Sequence, residues 1–164
     1  MRVGFGYDSH RFEEGRRLVL GGVEIPYEKG LLGHSDADAL IHAIIDALFG
    51  AAALGDIGSH FPDTDGKWCG ADSARLLESS VREVRAAGWR VVNVDATVIC
   101  ERPKMLPYIP AIRARLAEIL FPGEEDGVSR ISVKGKTNEK MDDVGAGAGI
   151  EVHAVCLIEM REKN

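Results

Sequence analysis

A short polar group near the start of the chain, Asp8-Ser9-His10, combines a carboxylate and an imidazole. In an extended backbone, residues two apart point to the same side, so Asp8 and His10 project together and offer two metal ligands. Such a pair is also common as a polar cluster at the end of a strand. His42, on the polar side of a predicted helix, offers a third ligand. One oxygen and two nitrogens would leave a coordination position open for substrate, as catalytic zinc requires.

The surroundings of His42 in the sequence are acidic. Asp38 and Asp46 lie one helical turn before and after it, on the same predicted face. Carboxylates often hold a metal-ligating imidazole in one tautomer, and we therefore expect these two to orient the His42 ring. The alternative is a solvated helix face with no ligand.

The predicted start of the same helix carries His34 and Ser35. Free backbone N–H groups and the helix dipole attract anions at such a position, which favours a phosphate site. Ser35, or Asp36, is also a good N-cap residue with or without a ligand. Further along, residues 56–65 form a polar loop with three carboxylates, and such acceptors suit sugar hydroxyls.

The segment from Lys134 to Lys140 contains Gly-Lys-Thr, but it is not a Walker A loop, because Arg130 stands where a glycine is required. The glycines of residues 145–149 precede a strand and are therefore not a dinucleotide fingerprint. The remaining chemistry suits a diphosphate: lysines, a hydroxyl, and Glu139 as an oxygen ligand for magnesium. The alternative is that Glu139 is a solvated turn carboxylate paired with a neighbouring lysine.

Hydrophobic periodicity predicts the elements that must position these groups. Gly21-Gly22 predicts a tight hairpin. The predicted elements, in chain order, are a strand over 1–7, hairpin strands over 17–20 and 23–26, helices over 35–53 and 72–87 with Gly88 ending the second, a strand over 89–100, a loop with Pro103, Pro107 and Pro110, a helix carrying Ile112, Leu116 and Leu120, and strands over 128–134 and 150–160. This order predicts an α+β fold: a mixed β-sheet with helices packed on one face, plus a small N-terminal hairpin.

Composition narrows the function further. The chain has 164 residues, the size of one domain, and we expect a single domain over residues 1–164. Its formal charge of −6 argues against a nucleic-acid partner. No apolar run approaches the roughly 20 residues that span a bilayer, and the first residues have no signal-peptide pattern. We therefore expect a cytoplasmic protein without a membrane partner, the alternative being the mature form of an organelle-stroma protein. Cys69, Cys100 and Cys156 lack metal-site spacing, and we expect them to be reduced and to pack as small hydrophobes.

The motifs resemble those of one family, the 2-C-methyl-D-erythritol 2,4-cyclodiphosphate synthases of the non-mevalonate isoprenoid pathway. The resemblance rests on four stretches that span nearly the whole chain: GYDSHRF at 6–12, HSDADALIHAIIDALFGAAALGDIGSHFPDTD at 34–65, ERPKM at 101–105 and TNEKM at 137–141. It implies a phosphorus–oxygen lyase that cyclises 4-diphosphocytidyl-2-C-methyl-D-erythritol 2-phosphate and releases CMP. It also implies a homotrimer with active sites at subunit interfaces.

The resemblance assigns roles by position. Asp8, His10 and His42 would hold zinc, and Glu139 would bind magnesium or manganese. His34 and Thr137 would be catalytic and would stabilise transition-state charge. The implied substrate contacts are Asp8, His10, His34 and Ser35; Asp56, Ile57 and Gly58 at the ribose; Phe61, Pro62, Asp63, Thr64 and Asp65 around the methylerythritol; Cys100, Glu101, Arg102, Pro103, Lys104, Met105 and Leu106 at the cytosine; and Lys136, Thr137, Asn138 and Glu139 at the phosphates.

The chain departs from the family pattern near the family's trimer axis. It has Asp143, Ala146 and Ala148 where the family usually has an aromatic residue, an arginine and a glutamate. We therefore carry over no axial anion or isoprenoid site from the resemblance. Two other functions stay open: a metal-dependent phosphohydrolase, in which the same metal activates water, and a non-catalytic trimeric metal-binding scaffold.

Overall fold

A computed structural model of the chain describes residues 1–62 and 70–161. Its elements are β1 (Arg2–Glu14), β2 (Leu18–Leu20), β3 (Val23–Ile25), β4 (Lys29–Leu31), α1 (Ala39–Ala52), α2 (Ile57–His60), α3 (Ser73–Ala86), β5 (Trp89–Ile99), α4 (Ile109–Leu120), a 3-10 helix (Gly127–Arg130), β6 (Ile131–Lys136), α5 (Asp142–Gly145) and β7 (Gly149–Met160).

The main sheet has five strands in the order β4-β1-β7-β5-β6. β5 and β6 are parallel, and the other neighbours are antiparallel, so the predicted mixed sheet is confirmed. β2 and β3 form the predicted separate hairpin. Gly21 and Gly22 at its turn have φ angles of 62° and 73°, which glycine adopts at little cost.

The helices cover one face of this sheet, and α1 lies closest to it. Gly4 and Gly6 of β1 make this approach possible: a Cβ atom on either residue would stand 1.9 Å from a backbone oxygen of α1, that of Ala47 or Ala43. Because side chains alternate along a strand, Asp8 and His10 continue the side of β1 that faces α1. The close strand–helix packing therefore determines where His42 meets β1.

The opposite face of the sheet is open, and we call it the open face. Val3, Phe5, Tyr7 and Val155 project from it, with 68%, 61%, 44% and 41% of their surfaces exposed. Contiguous apolar surface of this kind is unusual on a monomer and marks an interaction surface.

Several predicted boundaries were wrong. β1 continues to Glu14, since it pairs first with β7 and then with β4, which was not predicted. β6 begins at Ile131 and ends at Lys136, after a 3-10 turn that occupies the first part of the predicted strand. The loop predicted over 56–65 contains the short helix α2. None of the helices in the described part of the chain is long and apolar enough to cross a membrane.

The predicted start of α1 was also wrong. The helix begins at Ala39, and its N-cap is Asp38, not Ser35 or Asp36. The buried Asp38 carboxylate accepts hydrogen bonds from the N–H groups of Ile41, Gly21 and Gly22. It therefore caps the helix and ties the hairpin turn to it at the same time.

Candidate active site

Asp8, His10 and His42 come together between β1 and α1. One ligand atom from each lies within 4.8 Å of the others, and all three residues are partly buried. Asp8 Oδ2 lies 3.0 Å from His10 Nε2 and 3.1 Å from His42 Nδ1. The sequence prediction that these three side chains form one cluster is confirmed.

The hydrogen bonds of the His10 ring leave one nitrogen directed into the cluster. His10 Nδ1 lies 2.7 Å from the Leu32 carbonyl oxygen, so this nitrogen must carry the proton and donate it. His10 Nε2 is buried, and its contact with Asp8 lacks hydrogen-bond geometry, so it has no hydrogen-bond partner among the described residues. An unprotonated nitrogen beside a carboxylate and a second imidazole is a suitable donor set for a divalent metal such as zinc.

Asp8 and His10 stabilise each other's charged forms in this cluster. Burial opposes ionisation of Asp8, but its interactions with His10 and His42 outweigh burial and lower the pKa of Asp8 from 3.8 to about 2. For His10, burial acts against the charged form, but Asp8 outweighs it and raises the pKa above 6.5. A divalent cation bound here would balance the negative charge of Asp8 in place of the protons on the histidines.

The prediction that Asp38 and Asp46 orient the His42 ring was wrong. The Asp38 carboxylate caps α1, as described above, and Asp46 Oδ1 accepts a hydrogen bond from the Ile57 N–H at 2.8 Å. The His42 ring instead contacts Asp8 through Nδ1, and Ser73 Oγ through Nε2 at 3.0 Å. Tertiary contacts therefore replace the helix neighbours that the spacing suggested.

His34 and Ser35 do not form the predicted anion site at a helix N-terminus, because α1 begins four residues after Ser35 and Asp38 caps it. The Ser35 hydroxyl lies 3.4 Å from His42 Nε2, and it accepts a hydrogen bond from the Ala37 N–H. Ser35 thus lies beside the cluster. His34 is exposed, and its carbonyl accepts a hydrogen bond from the Gly70 N–H.

A cavity of about 370 Å³ lies at the carboxyl ends of β5 and β6. This volume falls in the range of small-ligand sites. Predicted substrate residues from two distant segments line it together, namely Cys100, Lys104, Met105, Leu106, Lys136, Thr137 and Glu139, with Ile109 and Gly135 in addition. We call it the β5–β6 pocket.

The polar wall of the β5–β6 pocket comes from a turn after β6. The Thr137 hydroxyl donates to Glu139 Oε1 at 2.6 Å. Glu139 is exposed and has a φ of 51°, in the left-handed region. Asn138 points elsewhere, since its amide nitrogen lies 2.7 Å from Asp142 Oδ2 and 3.2 Å from the Met141 carbonyl oxygen.

The other wall is the segment 100–106. The buried Cys100 thiol donates to the Arg102 carbonyl oxygen at 2.7 Å, and burial raises the pKa of this thiol to about 11. Cys100 and Cys156 are free and buried, as predicted, whereas Cys69 lies outside the described residues. Glu101 has a buried carboxylate oxygen that lacks a hydrogen-bond partner in the described part of the chain, and Pro103 is half-buried.

Of the predicted ribose and methylerythritol contacts, the structure describes those up to residue 62. Asp56 caps α2 by accepting hydrogen bonds from the N–H and hydroxyl of Ser59, which lower the pKa of Asp56. Gly58 is exposed and Ile57 is partly exposed. Phe61 is buried, with its ring 6.4 Å from that of Phe49, and Pro62 is half-buried. The remaining predicted contacts, Asp63, Thr64 and Asp65, lie outside the described residues.

The cluster and the β5–β6 pocket are separated within one chain. The sheet register aligns Asp8, Val152, Val98 and Gly135 in one row across four strands. Three strand spacings of about 4.8 Å amount to about 14 Å. Val152 and Val98 between them are buried in the core, so the two sites do not merge on this face.

The positions that depart from the family pattern are exposed. Asp143, Ala146 and Ala148 are all accessible. Asp143 and Ala148 line a smaller cavity of about 190 Å³, together with Arg11.

A family model for the YgbB family matches residues 1–159. The chain belongs to this family. It is 60% identical over 157 residues to a protein of Chromobacterium violaceum named 2-C-methyl-D-erythritol 2,4-cyclodiphosphate synthase, a match that covers 96% of this chain and 97% of that one. The resemblance inferred from the motifs is thereby confirmed.

Solved structures of YgbB relatives have the same fold. A structure of 2C-methyl-D-erythritol-2,4-cyclodiphosphate synthase in a form bound to CDP has a TM-score of 0.86 at 40% identity, and it covers 96% of this chain and 100% of that one. The bifunctional IspDF from Campylobacter jejuni has a TM-score of 0.92 at 37% identity. The match covers 98% of this chain, which spans 42% of the bifunctional one.

Sequence reasoning missed Ser73 as a neighbour of His42. Asp72-Ser73 precedes a helical pattern and has the composition of an N-cap, and Asp72 does cap α3. His42 and Ser73 are 31 positions apart, and this separation corresponds to no spacing that would link them. Only the packing of α1 against α3 brings them together.

Proposed function

We propose that the chain is a metal-dependent cyclase that converts 4-diphosphocytidyl-2-C-methyl-D-erythritol 2-phosphate into 2-C-methyl-D-erythritol 2,4-cyclodiphosphate and CMP, in non-mevalonate isoprenoid biosynthesis. The observation that carries this proposal is the Asp8, His10 and His42 cluster, whose ligand atoms lie close together. The chain that contains it is 60% identical to a protein named 2-C-methyl-D-erythritol 2,4-cyclodiphosphate synthase.

The proposed metal sites differ in chemistry. Asp8, His10 and His42 would hold zinc, and Glu139 would anchor magnesium or manganese, which usually takes one or two carboxylates and keeps several waters. When bound, zinc supplies Lewis-acid polarisation of a phosphate oxygen, and the second cation supplies charge neutralisation of the diphosphate.

The chain's own residues have the task of positioning. In the reaction, an oxygen of the 2-phosphate attacks the β-phosphorus, and the bond from that phosphorus to the CMP oxygen breaks. Because the nucleophile belongs to the substrate, the protein needs alignment and charge stabilisation more than a nucleophile of its own. Lys104 and Lys136 bring positive charge to the β5–β6 pocket, and Thr137 brings a hydroxyl. His34 and Thr137 would stabilise charge in the transition state.

We also propose a homotrimer with shared active sites. The apolar open face requires a cover, and further copies of this chain can provide it. Within one chain, about 14 Å and the buried side chains of Val98 and Val152 separate the cluster from the β5–β6 pocket. This separation supports a site in which one chain provides the cluster and its neighbour provides the pocket.

Incubation of the protein with the diphosphocytidyl substrate and Mg²⁺, followed by phosphorus NMR, tests the reaction. The expected products are the cyclic diphosphate and CMP. Free methylerythritol phosphates without the cyclic product would indicate a phosphohydrolase. No CMP release with any divalent metal would indicate a scaffold.

Light scattering tests the assembly. We expect three times the chain mass of 17.8 kDa at micromolar concentration. Phe5→Asp places a charge on the open face and should yield monomers with little activity. Val128→Asp, at an exposed apolar position of the 3-10 helix that does not line the β5–β6 pocket, should stay trimeric. A fully active monomer of 17.8 kDa would contradict the shared site.

A further inference from the structure

We propose that Ser73 and Asp36 form a hydrogen-bond relay that positions His42 for metal binding, by forcing its proton onto Nε2 and leaving Nδ1 free for the metal. This inference rests on the proposed metal role of Asp8, His10 and His42. Ser73 and Asp36 act through His42 and are therefore positioning residues.

The first step is the geometry around Ser73, the first residue of α3. Its hydroxyl is fully buried and lies between two groups: His42 Nε2 at 3.0 Å, and Asp36 Oδ1 at short hydrogen-bond distance. The Ser73 N–H donates to the other oxygen of Asp36 at 3.0 Å. The Asp36 carboxylate thus contacts both the backbone N–H and the hydroxyl of Ser73.

The second step is the proton count. A serine hydroxyl has one proton to donate, whereas an ionised carboxylate only accepts. Asp36 also accepts a hydrogen bond from the Asp38 N–H at 3.2 Å, so all of these contacts require it to act as an acceptor. The Ser73 proton must therefore point to Asp36, and Ser73 Oγ must accept from His42. Nε2 of His42 is consequently the protonated nitrogen.

The third step is what this tautomer does. His42 Nδ1 lies 3.1 Å from Asp8 Oδ2, inside the metal cluster. With the proton held on Nε2, the neutral ring directs the Nδ1 lone pair at the cluster. The His10 ring has the corresponding arrangement in reverse, with Nδ1 facing the Leu32 carbonyl and Nε2 facing the cluster. Both imidazoles are thus held with one nitrogen available to the metal, which raises affinity.

Ser80 provides a matched control. It lies in the same helix, is also fully buried, and donates its hydroxyl proton to the Leu76 carbonyl oxygen at 2.9 Å. Ser73→Ala and Ser80→Ala therefore each remove one buried hydroxyl from α3, but only the first removes a partner of His42. A general loss of packing or stability would affect both variants.

The experiment measures Zn²⁺ affinity by competition with a chelator, and Co²⁺ affinity by visible absorption, for the intact protein and both variants. Removal of a group that orients a metal-ligating histidine typically costs 10–100-fold in affinity. We expect Ser73→Ala to bind both metals about 10–100-fold more weakly, and Ser80→Ala to bind them as the intact protein does. Unchanged affinity in Ser73→Ala, or equal losses in both variants, would overturn the relay.

Nitrogen-15 NMR of the His42 ring in the metal-free intact protein is a second measurement that needs no variant. We expect a proton on Nε2, and a ring protonated only on Nδ1 would overturn the relay. An intact protein that binds neither metal would overturn the proposed metal function as well. A wrong tautomer in a protein that does bind zinc would overturn the relay alone.

Discussion

The Asp8, His10 and His42 cluster and the β5–β6 pocket are built in different ways. The cluster lies on a strand and a helix, and its ring nitrogens are oriented by contacts with Leu32 and Ser73. The pocket is formed by strand ends and turns, with Glu139 and Leu106 exposed. Metal coordination requires ligand atoms held within fractions of an ångström, which regular elements provide best. A flexible nucleotide can be bound by an adaptable wall of loops.

Loss of a ligand from the rigid region should have the largest effect. His42→Ala removes one of three proposed ligands, and we expect metal affinity and CMP release to fall by about 10³-fold or more, because the metal supplies several kcal/mol of charge stabilisation. Metal content and turnover are measured on the same preparation. Since His42 is not among the buried residues of α1, the fold should persist, as circular dichroism can check. Full zinc retention would contradict its role as a ligand.

A variant of Glu139 tests the β5–β6 pocket by the same two measurements, metal content and turnover. Glu139→Gln keeps the shape and removes the charge, and we expect a loss of about 10²-fold in CMP release, since removal of one electrostatic stabiliser costs this order. Zinc content and trimer mass should not change, and raised Mg²⁺ or Mn²⁺ should restore part of the activity. Near-normal turnover at low magnesium would refute the second-metal role.

A variant of Asp38 tests the cap that joins the start of α1 to the hairpin turn. Asp38→Ala leaves three N–H groups without their acceptor, and we expect about 3 kcal/mol lower unfolding free energy by urea denaturation. Glu118→Ala, at an exposed position of α4, is the control and should change little.

The same variant gives a pH test. Burial raises the pKa of Asp38 from 3.8 to about 6, so the folded state binds this proton more tightly than the unfolded state. The contribution of Asp38 to stability therefore increases as the pH falls from 6 towards 4. The stability difference between the intact protein and Asp38→Ala should grow over this range. A difference that shrinks on acidification would contradict the direction of the shift.

The smallest effect is expected at the edge of the pocket. Lys104→Met removes an exposed charge from the β5–β6 pocket but keeps the aliphatic stem. An exposed charge pair contributes about 0.2–1 kcal/mol, so KM for the diphosphocytidyl substrate should rise about 1.5–5-fold with kcat nearly unchanged. The effect should weaken with added salt. A larger fall in kcat than rise in KM would assign Lys104 a role in the transition state.

Much of the candidate site could be predicted from local patterns. Asp8 and His10 share a face because alternation is a property of any strand, and the periodicity of α1 placed His42 off its apolar stripe. The predicted orienting role of Asp38 and Asp46 was wrong for a physical reason. Neighbours on one helix face compete with distant partners, and both carboxylates accept backbone N–H groups from other segments instead.

By itself, the sequence determined the long strands and helices but not all their ends, the three ligand types, and the family through its motifs. The tertiary structure decided which residues meet across long separations: His42 with Ser73, and the segment 100–106 with Thr137 and Glu139. Hydrophobic periodicity reports only which side of an element is buried, not which partner buries it. The partner depends on packing between elements, here the approach of α1 to Gly4 and Gly6 and the parallel pairing of β5 with β6.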